Sequence, residues 1–245
     1  MTNMKKIFVT IVVACLALSA WAVELPKQGF GMQVGWAQPI LRLNDPANPS
    51  TAKDSLSNVV KMKGFKVGVV YDGSFIAGFG TSIGLNYTFG AYNSGWKKDR
   101  NNYYGMPYPR NRQIITYHQL ELYVDWQYKF EIAKETYLIL YTGPTIQCGL
   151  GFEMRDDYQT YEGENYVPRY FNGYDAADAD QTFRRFNVTW GLGAGFQYQR
   201  YFLRGGYDFG IVNPYKHTDF TNGNHTRGRL DQWEIKLGMY LWYTD

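Results

Sequence analysis

Gln119-Leu120-Glu121-Leu122-Tyr123-Val124-Asp125-Trp126-Gln127-Tyr128-Lys129-Phe130 decides the fold class of this chain. Leu120, Leu122, Val124, Trp126, Tyr128 and Phe130 occupy alternate positions, with Gln119, Glu121, Tyr123, Asp125, Gln127 and Lys129 between them. Period two sends the two sets to opposite faces of a β-strand, whereas a helix would scatter both around its circumference. One face is continuously apolar, and the other is polar and charged.

The pattern returns at the end of the chain, where Trp233, Ile235, Leu237, Met239, Leu241 and Tyr243 oppose Gln232, Glu234, Lys236, Gly238, Tyr240 and Trp242. A third case sets Phe186, Val188, Trp190, Leu192, Ala194, Phe196 and Tyr198 against Asn187, Thr189, Gly191, Gly193, Gly195, Gln197 and Gln199. Weaker versions run from Gly29 to Leu41, Gly64 to Tyr71, Phe79 to Tyr92, Tyr137 to Phe152 and Tyr201 to Val212, which makes eight expected strands. Three connectors read as short: Asp72-Gly73-Ser74, Glu131 to Thr136, and Gln199-Arg200. The other four are long and polar: Arg42 to Lys63, Asn93 to Gln113, Glu153 to Arg185, and Asn213 to Gly228. Strict alternation of short and long puts all long loops on one side and both termini on the other, the arrangement of bacterial outer-membrane barrels.

A soluble lipocalin-like barrel would use the same alternation with its apolar side inward, so sidedness separates the two classes. The apolar faces are long and end in aromatic residues, which suits lipid outside. The opposite faces carry glycines and charges, a poor ligand cavity but good filling for a narrow bore. On this register Glu121, Asp125, Asp208 and Glu234 meet Lys66, Lys129, Arg204 and Lys236 inside, four against four. An eight-stranded bore is filled by its side chains, so this set is expected to form an ion-pair network that conducts ions poorly.

Met1 to Ala22 places Lys5 and Lys6 before an apolar run and ends in Ala20-Trp21-Ala22, the order of a cleavable secretory signal. Residues 1–22 are therefore expected to leave, and residues 23–245 to form one barrel domain. Val12-Val13-Ala14-Cys15 also has a lipobox-like pattern, although Leu16 to Trp21 continues the apolar core past Cys15. After cleavage Cys148 is the remaining cysteine, so no disulfide within the chain is expected. A net charge of +3 gives no reason to expect nucleic acid as a partner. The mean hydropathy of −0.41 argues against a helical membrane protein.

Raw materials for catalysis are thin. The histidines are His118, His217 and His225, and none has a nucleophile placed beside it in a triad-like arrangement. Asp175, Asp178 and Asp180 lack the glycine and terminal glutamate of a calcium loop. His217, Asp219 and His225 read as a solvated loop in preference to a transition-metal site. No cofactor is expected. Lys97, Lys98, Arg100, Arg110 and Arg112 make the second long loop basic, suited to lipopolysaccharide phosphates at a membrane rim. The loops are rich in tyrosine, with Tyr103, Tyr104, Tyr158, Tyr161, Tyr166, Tyr170 and Tyr174. Such side chains build adaptable recognition surfaces.

His118-Gln119-Leu120-Glu121 through Tyr128-Lys129-Phe130, Leu140-Tyr141-Thr142-Gly143-Pro144 with Gly149-Leu150-Gly151, and Gly191 to Phe196 followed by Gly205 to Gly210 carry a family resemblance. Together they resemble the small outer-membrane β-barrel proteins common in Bacteroidetes, grouped as porin-like or PorT-like barrels. The resemblance covers most of residues 23–245 and implies fold and location; it carries no catalytic residue across. Such barrels usually finish on an aromatic residue read by the assembly machinery, and here Thr244 and Asp245 follow Trp242 and Tyr243.

The expectation is thus an all-β, eight-stranded antiparallel up-and-down transmembrane β-barrel behind a signal peptide, monomeric and non-enzymatic, in the bacterial outer membrane. Its partners would be outer-membrane lipid, lipopolysaccharide, the assembly machinery and an extracellular protein or glycan ligand. Its role would be envelope structure, surface recognition or adhesion. The alternatives are a lipid A-modifying enzyme, a narrow porin or a soluble periplasmic lipocalin-like binder.

Overall fold

The computed structural model describes residues 28–44, 59–76, 78–98, 110–159, 169–174, 183–214 and 227–243. In chain order the strands are β1 (Gly29–Asn44), β2 (Val59–Lys61), β3 (Lys63–Ile76), β4 (Phe79–Asn93), β5 (Lys97–Lys98), β6 (Arg110–Ala133), β7 (Thr136–Gln159), β8 (Arg169–Asn172), β9 (Phe186–Tyr198), β10 (Tyr201–Gly210) and β11 (Arg227–Tyr243). The eight long ones, β1, β3, β4, β6, β7, β9, β10 and β11, pair antiparallel in succession, and β11 returns to β1 to close a ring. Closure leaves no unpaired sheet edge around the wall, the condition hydrocarbon imposes on a backbone. This is the eight-stranded up-and-down barrel that the alternation predicts. The short strands β2, β5 and β8 append to β1, β6 and β7.

Inside and outside are chemically inverted relative to a soluble protein. Outward side chains such as Met32, Val34, Leu122, Leu140, Leu192, Leu203 and Leu237 lie 44–61% exposed on the wall, while Lys66, Gln119, Lys129 and Arg204 are fully buried. An apolar exterior around a polar interior is stable only where the surroundings are themselves apolar, so the wall is membrane-spanning and the lipocalin-like alternative falls. From Trp233 to Leu241 the outward residues of β11 cover roughly 20 Å at ~3.3 Å per residue and ~40° of tilt, close to the apolar band of such barrels. Trp190 faces this band and donates its indole N–H to the Thr142 hydroxyl at 2.9 Å, which spares hydrocarbon an unpaired donor.

At the turn end, Lys134-Glu135 and Gln199-Arg200 make two-residue reversals with Glu135 and Gln199 at positive φ. The third reversal lies elsewhere than expected. Asp72-Gly73-Ser74 is not a turn: β3 runs on to Ile76, and the chain reverses beside Gly78, whose φ of 87° suits glycine. Asp72 is consequently an inward strand residue, 1% exposed. The loop-end strands also outrun expectation. β6 and β7 are 24 residues each and, with β5 and β8, form a sheet that rises beyond the apolar band.

Candidate functional site

Among the described residues, the strands bring charged side chains together in the bore, at the loop-end rim and on the outer wall beside it. Lys66 on β3, Glu121 on β6 and Glu234 on β11 meet at one level: the ammonium lies 2.5 Å from Glu121 Oε2 and pairs with Glu234. Lys236 sits on the other oxygen of Glu234. Glu121 is further held by the Thr88 hydroxyl at 2.7 Å and the Gln232 amide at 3.1 Å. Nearer the turn end, Asp72 is the hub. Its Oδ2 accepts from Arg204 Nη2 at 2.8 Å, from Lys129 Nζ at 3.1 Å and from the Tyr240 hydroxyl. Arg204 also donates to Ser82 Oγ at 2.7 Å and Gln127 at 3.1 Å, and Lys129 to Gln197 at 2.9 Å. The charges of this network are tolerable so deep because opposite charge and hydrogen bonds meet them together.

Asp72 corrects the charge balance. Four lysine and arginine side chains face five carboxyl groups, Asp72, Glu121, Asp125, Asp208 and Glu234, one acid more than the alternation predicts. Asp125 and Asp208 form no ion pair among the described residues; they line a void of about 10 Å³ together with Lys66, Glu121, Tyr141, Glu234 and Lys236. That space admits about one water. Tyr141 also faces it with a hydroxyl that has no hydrogen-bond partner among the described residues. The side chain of Tyr141 lies across two glycines, since a Cβ on Gly193 would come within 2.2 Å of its ring and one on Gly206 within 2.6 Å of its hydroxyl. Aromatic rings folded over inward glycines thus help to fill the bore.

Above the charges, toward the loop end, comes a layer of amides, Gln119, Gln147, Asn187 and Gln232. Asn187 donates to Gln147 at 2.7 Å and Gln119 to Gln232 at 3.2 Å. Higher still the filling changes character. Leu41, Val60, Met62, Ile115, Tyr117, Phe152, Tyr174, Phe183 and Leu230 form one apolar cluster. Val60 and Met62 come from the first long connector and Tyr174 and Phe183 from the third, so described residues of both connectors help to fill the barrel at its loop end. The alternation does not foretell this plug, because its residues lie in stretches that read as polar loops.

Of the basic residues expected at the rim, Arg112 is outward on β6 and binds Asp157 Oδ2 through Nε at 3.1 Å and through Nη2, with its guanidinium 4.8 Å from the Trp96 ring. Arg155 holds the other oxygen of Asp157 and lies 5.5 Å from the Tyr170 ring. Burial pushes the Asp157 carboxyl up, but hydrogen bonds from Arg112 and Arg155 outweigh it and leave the group below its ordinary value. Lys97, Lys98 and Arg110 lie on β5 and β6. Arg100, Asp175, Asp178, Asp180, His217, Asp219, His225 and the segment Met1 to Ala22 lie outside the described residues. His118 points outward, where its Nδ1 meets the Tyr87 hydroxyl at 2.5 Å and its ring lies 5.0 Å from that of Phe89.

No protein-family model and no curated protein matches the chain. Among solved structures it is similar to the attachment invasion locus protein of Yersinia pestis, solved with the heparin analogue sucrose octasulfate, at 10% identity over 88% of this chain and 99% of that one, TM-score 0.36. It is similar to Neisserial surface protein A at 12% identity over 87% and 97%, TM-score 0.37. The N-terminal β-barrel domain of Pseudomonas aeruginosa OprF follows at 10% identity over 84% and 97%, TM-score 0.24. These likenesses assign no residue of this chain a role.

Proposed function

We propose that the chain is a non-enzymatic outer-membrane β-barrel that works through its loop end, as a surface-recognition protein and not as a conduit. The carrying observation is the filled bore: charges, amides and an apolar plug follow one another along its height, and the charged layer leaves room for about one water. A structure closed at three levels does not pass solutes, so its specificity resides in what stands outside the membrane. There β5, β6, β7 and β8 raise a sheet above the band, with Trp96 and Tyr170 exposed on it. Exposed aromatics beside arginines suit a protein or glycan partner.

On this reading Met1 to Ala22 is removed during secretion and the long connectors face the exterior. Kinship with the Bacteroidetes-type barrels belongs to the same proposal. The test has two arms. Purified protein in planar bilayers should give no stable large conductance, and a steady open channel would overturn the sealed-bore reading. Replacing residues 160–168 and 175–182 by short Gly-Ser linkers keeps Tyr174 and Phe183 in the plug. It should abolish binding of the purified chain to host or neighbouring cells, and undiminished binding would leave the envelope-structure role in its place.

A further inference from the structure

At the loop end of the outer wall, charged residues break the apolar surface. Arg42 on β1 and Arg229 on β11 are direct cross-strand partners, a like-charge pairing that is unfavourable unless something offsets it. Asp231, two residues along β11, is fully buried although it points outward. Its Oδ2 accepts from Arg42 Nε at 2.8 Å and from the Tyr207 hydroxyl at 2.7 Å; its Oδ1 accepts from Arg229 Nε at 2.8 Å and from the backbone N–H of Gly210 at 3.0 Å. Four donors from three adjacent strands saturate this carboxylate. It therefore acts as a fixed clamp that sets two guanidiniums side by side.

Each arginine spends its Nε on the clamp and meets no second acid among the described residues. Their side chains remain 42% and 46% exposed, and two cations against one anion leave a net positive charge. The position along the wall matters as much. One step toward the turn end, Trp233 and Tyr207 pair in register with rings 4.6 Å apart, and Phe209 lies 4.6 Å from Tyr207. Aromatic residues of this kind mark the level where acyl chains give way to headgroups. The arginines stand just beyond that level.

We propose that Arg42 and Arg229, held by Asp231, form a site on the outer wall for a phosphate of lipopolysaccharide. The inference rests on the outer-membrane reading above and moves the lipid contact from the β5–β6 rim to the β1–β11 seam. A phosphomonoester offers several anionic oxygens to two planar forks at once, whereas the single charge of a phospholipid diester is shared with its own amine in most headgroups. Arg112 and Arg155 form a second clamped pair on Asp157, but it stands farther up β6 and β7 and each arginine already lies near an aromatic ring. It serves as the internal control.

The test uses the detergent-folded full chain, native mass spectrometry and three probes in mixed micelles or solution: lipid A bearing both phosphates, the same lipid A after phosphatase treatment, and inorganic phosphate; phosphatidylglycerol is the competing lipid. Retention of phosphorylated lipid A should fall about tenfold or more in Arg42→Gln/Arg229→Gln, in line with the strength of charge-assisted hydrogen bonds. It should be unchanged in Arg112→Gln and intermediate in Asp231→Asn. Equal retention by the wild type and the double variant would overturn the site, as would equal retention of dephosphorylated lipid A or of phosphatidylglycerol. Saturation by inorganic phosphate alone would also overturn it in favour of a free-anion site. Heat-modifiable gel mobility is read on every sample: its loss in the double variant alone marks misfolding, for which Arg42→Lys/Arg229→Lys then substitutes, and its absence in the wild type overturns the barrel itself.

Discussion

The two halves of the bore are filled in different proportions, the membrane-level half mainly by charges and amides and the loop-end half by apolar side chains. Within the apolar band, the interior is built around Lys66, Asp72, Glu121, Lys129, Arg204 and Glu234, all at most 4% exposed, with one small apolar cluster of Val70, Tyr123, Phe202 and Tyr240 set among them. Beyond it, the same inward positions carry Leu41, Ile115, Phe152 and Leu230 with Met62 and Phe183 folded onto them. The solvent outside the wall explains the difference. Where lipid surrounds the barrel, moving an apolar side chain from wall to bore gains little, and the bore is filled mainly by polar groups that satisfy one another. Where water surrounds the extended strands, burial of apolar surface is again favourable by ~25 cal/mol per Å², and the inside reverts to the core of a soluble protein. One chain thus changes its folding logic halfway along β6, between Tyr117 and Gln119.

The sharpest break in that comparison comes from removing a hub. Asp72→Ala leaves Lys129 and Arg204 buried without their shared carboxylate and is expected to cost about 3–5 kcal/mol. Urea unfolding followed by heat-modifiable mobility should show it, and a stability loss under 1 kcal/mol would mean that the charges are not coupled as described. A cut in the plug should act locally. Phe152→Ala is expected to cost roughly 3 kcal/mol at the cap. Proteolysis of the first and third connectors should accelerate while the folded band on gels persists, and global unfolding of the barrel by this change would show that the two halves are one cooperative unit.

Tyr141→Phe tests the polar half more gently. It deletes a buried hydroxyl that has no partner, so stability should hold or rise by about 1 kcal/mol. A clear loss would reveal an ordered water in the void beside Asp125 and Asp208. The smallest effect belongs to the rim. Because Arg112 and Arg155 leave Asp157 with a folded value below its ordinary one, the clamp's contribution is complete above the ordinary carboxylate range and disappears as pH falls through the lowered value. Hydrogen exchange of β7 and β8 should therefore quicken in acid, by no more than the ~1 kcal/mol of a surface ion pair, and only weakly in Asp157→Asn.

Legibility followed the range of the signal. Glu121, Asp125 and Lys129 could be placed inside from a dozen residues of β6, because the pleat alone decides which side chain faces which way. Asp72 escaped because Asp-Gly-Ser reads as a turn wherever strand length is not yet known. Asp231 escaped for another reason: it points outward among apolar neighbours, and only the pairing of β11 with β1 and β10 brings Arg42, Tyr207 and Gly210 to it.

By itself, then, the amino-acid sequence determined the strand class, the number of long strands, the alternation of connectors and the chemistry of each face, since all of these are periodic or local. Tertiary structure alone decided which inward charges meet, that Asp72 and not a turn anchors the lower network, that two connectors plug the bore, and that two arginines share one carboxylate on the wall. Those outcomes depend on register between strands up to 189 residues apart, as in the Arg42–Asp231 bond. A period of two fixes the side of the sheet on which a residue lies and says nothing about its height on the barrel.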